Sequence, residues 1–157
     1  KYKHTIEPTF TIQRLTDFDD YDRIPKLEGY DFTYGGTTRL SYGIVNRFTA
    51  KRRSGNSTAR TRDFLVVGVT QSYYSDPNAS LYDFGAFPLN FFGRAPSNFS
   101  PIALSATYSP SEKTSVSSRL DWDDRAGEFQ SIRLNGQYSL REWLSVDGGW
   151  SQRKISF

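Results

Sequence analysis

The chain contains no cysteine, no methionine and a single histidine. Without cysteine there is no disulfide framework, no thiolate metal site and no cysteine nucleophile. With His4 alone, neither a histidine metal site nor a Ser-His-Asp arrangement can be assembled. The longest clean apolar run is Leu65-Val66-Val67-Gly68-Val69, far short of the ~18–20 residues of a membrane helix. That excludes helical membrane proteins but leaves β-barrels open, because their alternating strands score poorly on hydropathy. The missing methionine and the lack of a charged-then-apolar leader make the chain read as an excised piece of a processed protein. A net charge of +3 is too mild to imply a nucleic-acid partner, and none is expected.

Aromatic residues are abundant instead, at 16% of the chain, within a total hydrophobic content of only 36% and a mean hydropathy of -0.62. An α/β enzyme draws its core from aliphatic residues rather than from Tyr and Phe on a polar background. Mixed charge with so many rings also argues against disorder.

Period two dominates the pattern. Leu40, Tyr42, Ile44 and Phe48 share one face of a segment whose other face carries Arg39, Ser41, Gly43, Arg47 and Thr49. Ile102, Leu104, Ala106 and Tyr108 alternate with Ala103, Ser105, Thr107 and Ser109. Val116, Leu120 and Trp122 oppose Ser117, Arg119 and Asp121; Ile132, Leu134 and Tyr138 oppose Ser131, Arg133 and Gln137; Leu144, Val146 and Trp150 oppose Ser145, Asp147 and Ser151. No segment shows the three- and four-residue spacing of a helix. The chain is therefore expected to be all-β, with seven strands near 3–14, 38–51, 62–74, 100–109, 113–123, 128–139 and 143–154. Tight connections at Pro110-Ser111-Glu112, Asp124-Arg125-Ala126-Gly127 and Leu140-Arg141-Glu142 imply an antiparallel up-and-down meander.

Strands of about ten or more residues exceed the ~5–6 usual in soluble sheets and match the ~9–11 that a bilayer requires. Tyr42, Tyr73, Tyr108, Trp122, Tyr138 and Trp150 lie toward the ends of apolar faces, where rings suit the boundary between hydrocarbon and headgroups. The opposite faces are small, hydroxylated and punctuated by Arg39, Arg47, Arg119 and Arg133, as suits a hydrated lumen. Together these features favour part of a large transmembrane β-barrel. Residues 1–157 are then a fragment of one barrel domain with no second domain, since seven strands cannot close a bacterial barrel. Segments 15–37 and 75–99, which contain the long loops, and the turn 124–127 are assigned to the cell exterior, with 52–61, 110–112 and 140–142 on the periplasmic side.

Candidate chemistry is sparse, and no catalytic residue, cofactor or metal site is expected. His4 and Glu7 are three apart in an extended segment and face opposite ways. Asp17, Asp19, Asp20 and Asp22 could present oxygen ligands to a divalent cation, and Asp121, Asp123 and Asp124 form a second acidic group, but a solvated acidic loop is the simpler reading. Lys51, Arg52, Arg53, Arg60 and Arg62 could meet lipid phosphates, although basic turns commonly serve solubility alone. Asn-x-Ser/Thr triplets at Asn56, Asn78 and Asn98 carry little weight.

Four segments resemble a known family in order and spacing over residues 3–75. Lys3-His4-Thr5-Ile6-Glu7-Pro8 resembles the "RH-x-IEP" stretch of the LptD family of lipopolysaccharide-assembly proteins, also called the organic-solvent-tolerance family. Arg23-Ile24-Pro25-Lys26-Leu27-Glu28-Gly29-Tyr30-Asp31 is similar to its "IP-x-FD" loop. The segment from Leu40 through Gly43 to Asn46-Arg47-Phe48 is similar to its "L-x-x-G-x-x-NRF" strand, and Gln71-Ser72-Tyr73-Tyr74 to its "Q-x-YY" ending. The resemblance implies a non-catalytic segment of the carboxy-terminal outer-membrane barrel of a Gram-negative cell. Implied partners are lipopolysaccharide, outer-membrane lipids, a plug lipoprotein of the LptE type and periplasmic bridge proteins. Some members carry cysteines that tie barrel to jellyroll; their absence here leaves oxidative control unsupported. A smaller porin or surface-enzyme barrel and a soluble carbohydrate-binding β-sandwich are the competing readings.

Overall fold

The computed structural model describes residues 2–17, 35–52, 60–82, 96–141 and 143–154. Seven strands follow in chain order: β1 (Tyr2–Leu15), β2 (Thr37–Arg52), β3 (Arg60–Tyr74), β4 (Ile102–Ser111), β5 (Thr114–Asp123), β6 (Glu128–Arg141) and β7 (Leu144–Arg153). Each neighbour pairs antiparallel with the next, in one sheet of order β1 to β7, and no pairing among the described residues joins β7 back to β1. The expected meander is present, with every strand boundary within two residues. Among the described residues a short 3-10 helix, Pro77–Tyr82, is the one helical element, inside the expected exterior loop.

The small shifts have local causes. Ile102 rather than Ser100 begins β4 because Pro101 has no amide to donate. Ser100 instead exchanges irregular bonds with Ser72: its amide donates to the Ser72 carbonyl at 2.9 Å and its hydroxyl accepts from the Ser72 amide at 2.9 Å. Ser111 pairs with Thr114 past a bulge that follows Tyr108, so the β4–β5 turn falls at Glu112-Lys113, later than the sequence suggests. The β5–β6 turn lies where expected and ends on Gly127 at φ 65°, a conformation that glycine reaches without steric penalty.

Register sorts the side chains into two faces that run across all seven strands. One apolar row reads His4, Phe48, Leu65, Tyr108, Val116; the next reads Pro8, Ile44, Val69, Leu104, Leu120, Ile132. A polar row between them on the other face reads Glu7, Val45, Gly68, Ser105, Arg119, Arg133, Ser151. Burial is inverted relative to a soluble sheet. Ile6, Phe10 and Val69 are 60%, 66% and 39% exposed, whereas Asp121 and Ser131 are each 1% exposed and Thr49 and Ser72 are also buried.

Two bulges keep that division intact where simple alternation fails. Strict period two from Leu65 would send Asp63 to the apolar face. The register shift after Phe48 instead sets Asp63 opposite Thr49 on the polar face, and leaves Phe64 beside Phe48 and Tyr2. The shift after Asp121 does the same on β6. Phe129 moves onto Trp122, with ring centroids 4.7 Å apart at 74°, while Gln130 donates to the Asp123 carboxylate at 2.8 Å.

Candidate functional site

The chemically richest surface is the polar face, and its arginines do not behave alike. Arg47 lies between two carboxylates. Its Nε is 3.3 Å from Glu7 Oε1 on β1 and its Nη1 donates to Asp63 Oδ2 on β3 at 2.7 Å. Thr49 donates to the other Asp63 oxygen at 2.7 Å. This network laces three strands, and it needs the bulge that turns Asp63 inward. Arg39 reaches the Ser72 hydroxyl, which also bonds Ser41 at 2.9 Å.

On β5 and β6, Arg119 Nε donates to Asp121 Oδ1 at 3.0 Å, and Ser131 donates to the second Asp121 oxygen. Arg133 stands directly opposite Arg119, and Arg153, at the end of β7, stands opposite Ser131 on the same face. The side chains of Arg133 and Arg153 make no hydrogen bond or ion pair among the described residues. Arg153 escaped sequence reasoning because Arg153-Lys154 closes the chain's last strand. A count of two-residue steps from Asp147 would have put it on the polar face.

The remaining residues singled out in the sequence settle into structural positions. His4 and Asn46 meet on the apolar face, His4 Nε2 lying 3.1 Å from Asn46 Oδ1, and the His4 ring stacks on Phe48 at 4.3 Å. His4 and Glu7 do face opposite ways, each toward its own partner on β2. Pro8 sits opposite Ile44 on β1, which pairs only with β2 among the described residues. Gly43 passes so close to β3 that a Cβ there would come within 2.5 Å of the Val69 carbonyl oxygen. Gln71 accepts from the Tyr42 hydroxyl at 2.7 Å and donates to the Ser100 carbonyl at 3.1 Å, bridging the end of the sheet where Pro101 interrupts pairing. Tyr73 packs on Phe99 at 5.2 Å, and Tyr74, 2% exposed, is the largest buried side chain among the described residues.

Pro25, Asp31 and the acidic residues Asp19, Asp20 and Asp22 lie outside the described residues. No group of side chains able to hold a metal ion occurs among the described residues. Asp121 and Asp123 are buried with separate partners, and Asp124 is exposed in the turn. Of the basic cluster, Arg62 donates to the Ser109 carbonyl and ties β3 to β4; Arg53 lies outside the described residues. Asn98 donates to the Tyr74 carbonyl at 2.9 Å and so serves the fold.

The family described as LptD, LPS transport system D, matches residues 2–155. The match continues through β4 to β7, where the sequence offers only generic hairpins. No curated protein and no solved structure matches the chain.

Proposed function

The chain belongs to the LptD family of LPS transport proteins, and from that premise we propose that it forms part of an outer-membrane barrel wall that delivers lipopolysaccharide to the outer leaflet without catalysing a reaction. The observation that carries this reading is the inverted burial: exposed aliphatic and aromatic side chains on one face, buried hydroxyls and carboxylates on the other. A soluble sandwich would cover the apolar face with a second sheet, whereas all seven strands here lie in one. Lipid is the medium in which such a face is stable.

Ring positions support the same orientation. Phe48, Phe64 and Tyr108 lie toward one end of the apolar face, and Tyr73, Trp122 and Phe129 toward the other. From Leu65 to Tyr73 the strand rises ~27 Å. At a ~40° tilt that is ~21 Å along the membrane normal, close to the ~25 Å apolar band of outer-membrane barrels. In this orientation Arg39, Arg47, Arg119 and Arg133 face the lumen, and the sheet edge formed by the ends of β1 and β3 and the starts of β2 and β4 faces the exterior. A lumen plug of the LptE type and periplasmic bridge proteins are the partners this reading assigns. Open edges at β1 and β7 would be paired by further strands, because unpaired backbone in lipid costs several kcal/mol per group.

Single cysteines in the full-length protein in native outer membranes test the orientation. Thr107→Cys and Ser117→Cys are expected to react with a water-soluble maleimide, while Val69→Cys and Leu104→Cys resist it until detergent is added. Equal labelling of both sets sinks the barrel-wall reading. Depletion of the protein is expected to stop lipopolysaccharide from reaching the cell surface; unchanged surface lipopolysaccharide sinks the transport reading.

A further inference from the structure

Arg119 and Arg133 are cross-strand partners, which holds their Cβ atoms about 5 Å apart, and like charges so placed are destabilising. Arg153 joins them diagonally across β6, since Ser131 and Arg133 pair with Arg153 and Ser151 respectively. Among the described residues one carboxylate, that of Asp121, lies within this group. Asp121 is 1% exposed and committed to Arg119 Nε and the Ser131 hydroxyl. The other nearby acids are also occupied: Asp123 by Gln130 and by Arg125, whose Nε is 3.7 Å away, and Glu128 by Lys154. Three guanidinium groups therefore gather around one carboxylate, which bonds Arg119 alone among them. Among the described residues the terminal nitrogens of Arg119 and the whole forks of Arg133 and Arg153 have no partner.

The surroundings are small and rich in donors. Ser151 flanks Arg133 on β7, and Asn135 lies two pairs further along on the same face, its carboxamide resting where a side chain at Gly149 would stand. A planar carboxylate matches one guanidinium fork, as Asp121 already does. A tetrahedral oxyanion with up to two negative charges can accept from several forks on different strands at once. We propose that Arg119, Arg133 and Arg153 form a binding subsite for a phosphate ester, with Asp121 holding Arg119 in position. Arg47, by contrast, is neutralised by Glu7 and Asp63 and belongs to the fold. The subsite rests on the lipopolysaccharide reading above and specifies which arginines meet the phosphorylated sugar.

The test uses the full-length protein in detergent, with its heat-modifiable migration as the check on folding. Binding is measured for a phosphorylated lipopolysaccharide glycolipid, for the same lipid after enzymatic dephosphorylation, and for inorganic phosphate as competitor. Wild type is expected to prefer the phosphorylated lipid. Arg133→Gln with Arg153→Gln is expected to weaken that lipid at least about tenfold, the equivalent of one charge-assisted bond, and to leave the dephosphorylated lipid unaffected. Inorganic phosphate is expected to compete in wild type and to lose that ability in the double variant. Should the double variant fail to fold, Arg133→Lys, which keeps the charge and loses the fork, is expected to show the same selective loss in smaller degree. Unchanged binding of the phosphorylated lipid overturns the subsite, as does an equal loss for both lipids. Release of a co-purifying protein with lipid binding intact also overturns it, assigning the arginines to a protein carboxylate. A wild type that binds both lipids alike overturns the subsite alone, whereas one that binds neither overturns the transport reading beneath it.

Discussion

Glu7 and Arg47 join the two strands that carry the most recognisable family residues, Arg47 Nε lying 3.3 Å from Glu7 Oε1 across β1 and β2. On the opposite face of the same strands, His4 meets Asn46. The family-like stretches around His4–Pro8 and Asn46–Phe48 are therefore two halves of one cross-strand arrangement, bonded on both faces.

Loss of Arg47 leaves Glu7 and Asp63 with no cation between them. Arg47→Met in the full-length protein is expected to lower the urea midpoint of unfolding. Adding Asp63→Asn is expected to recover part of the loss, because an unneutralised carboxylate is removed with it. A double variant no more stable than the single one would show that Asp63 does not depend on Arg47.

Gly43 and Gly136 provide a matched pair. A Cβ at Gly43 would meet the Val69 carbonyl oxygen at 2.5 Å and Thr70 Cγ2 at 2.7 Å, while at Gly136 it would meet nothing within 4 Å. Gly43→Ala is expected to cost about 1–3 kcal/mol through forced separation of β2 and β3. Gly136→Ala is expected to be neutral or stabilising by up to about 1 kcal/mol. Equilibrium unfolding in detergent compares them, and equal effects would contradict the close approach at Gly43.

Among the described residues Asp121 is the one carboxylate beside Arg119, Arg133 and Arg153. Asp121→Asn is expected to destabilise by about 1–3 kcal/mol, the range for a buried group left with unsuitable partners. Arg133→Gln in the same chain is expected to reduce that cost by relieving the charge facing Arg119. Additive effects in the double-mutant cycle would show that the two sites are uncoupled.

The two faces should respond oppositely to charge. Val69→Arg on the apolar face is expected to cost about 2–4 kcal/mol in bilayers, as for arginine near a barrel's midplane, while Thr107→Arg on the polar face costs far less. Folding titrations in lipid vesicles measure both, and similar costs would mean that the faces are misassigned.

Much of this was legible in sequence because a strand's side chains alternate by purely local geometry. Leu40, Tyr42 and Ile44 against Arg39, Ser41 and Gly43 needed no partner to declare their faces, and the strand lengths followed from the same count. The family resemblance over residues 3–75 was also readable, because its segments are contiguous. It faded in β4 to β7, where alternation is present but the residues repeat a common Ser-rich hairpin pattern.

Charge pairing lay beyond sequence reading because it is set by register, and register joins residues far apart in the chain. Arg39, Arg47, Arg119 and Arg133 looked equivalent as four cations on one face. Across 40 residues, β1 brings Glu7 to Arg47, while β6 brings a second arginine to Arg119. Bulges decide even more, since one extra residue reverses every face beyond it. Asp63 and Phe129 both fall on the wrong side by simple counting, and both are returned by a bulge to the side that suits them. An otherwise sparse sequence, with one histidine and no cysteine, thus determined the strands and their two chemistries by itself. Only the tertiary structure decided which arginines are neutralised and which remain to meet a ligand, because that depends on which strands lie side by side and in what register.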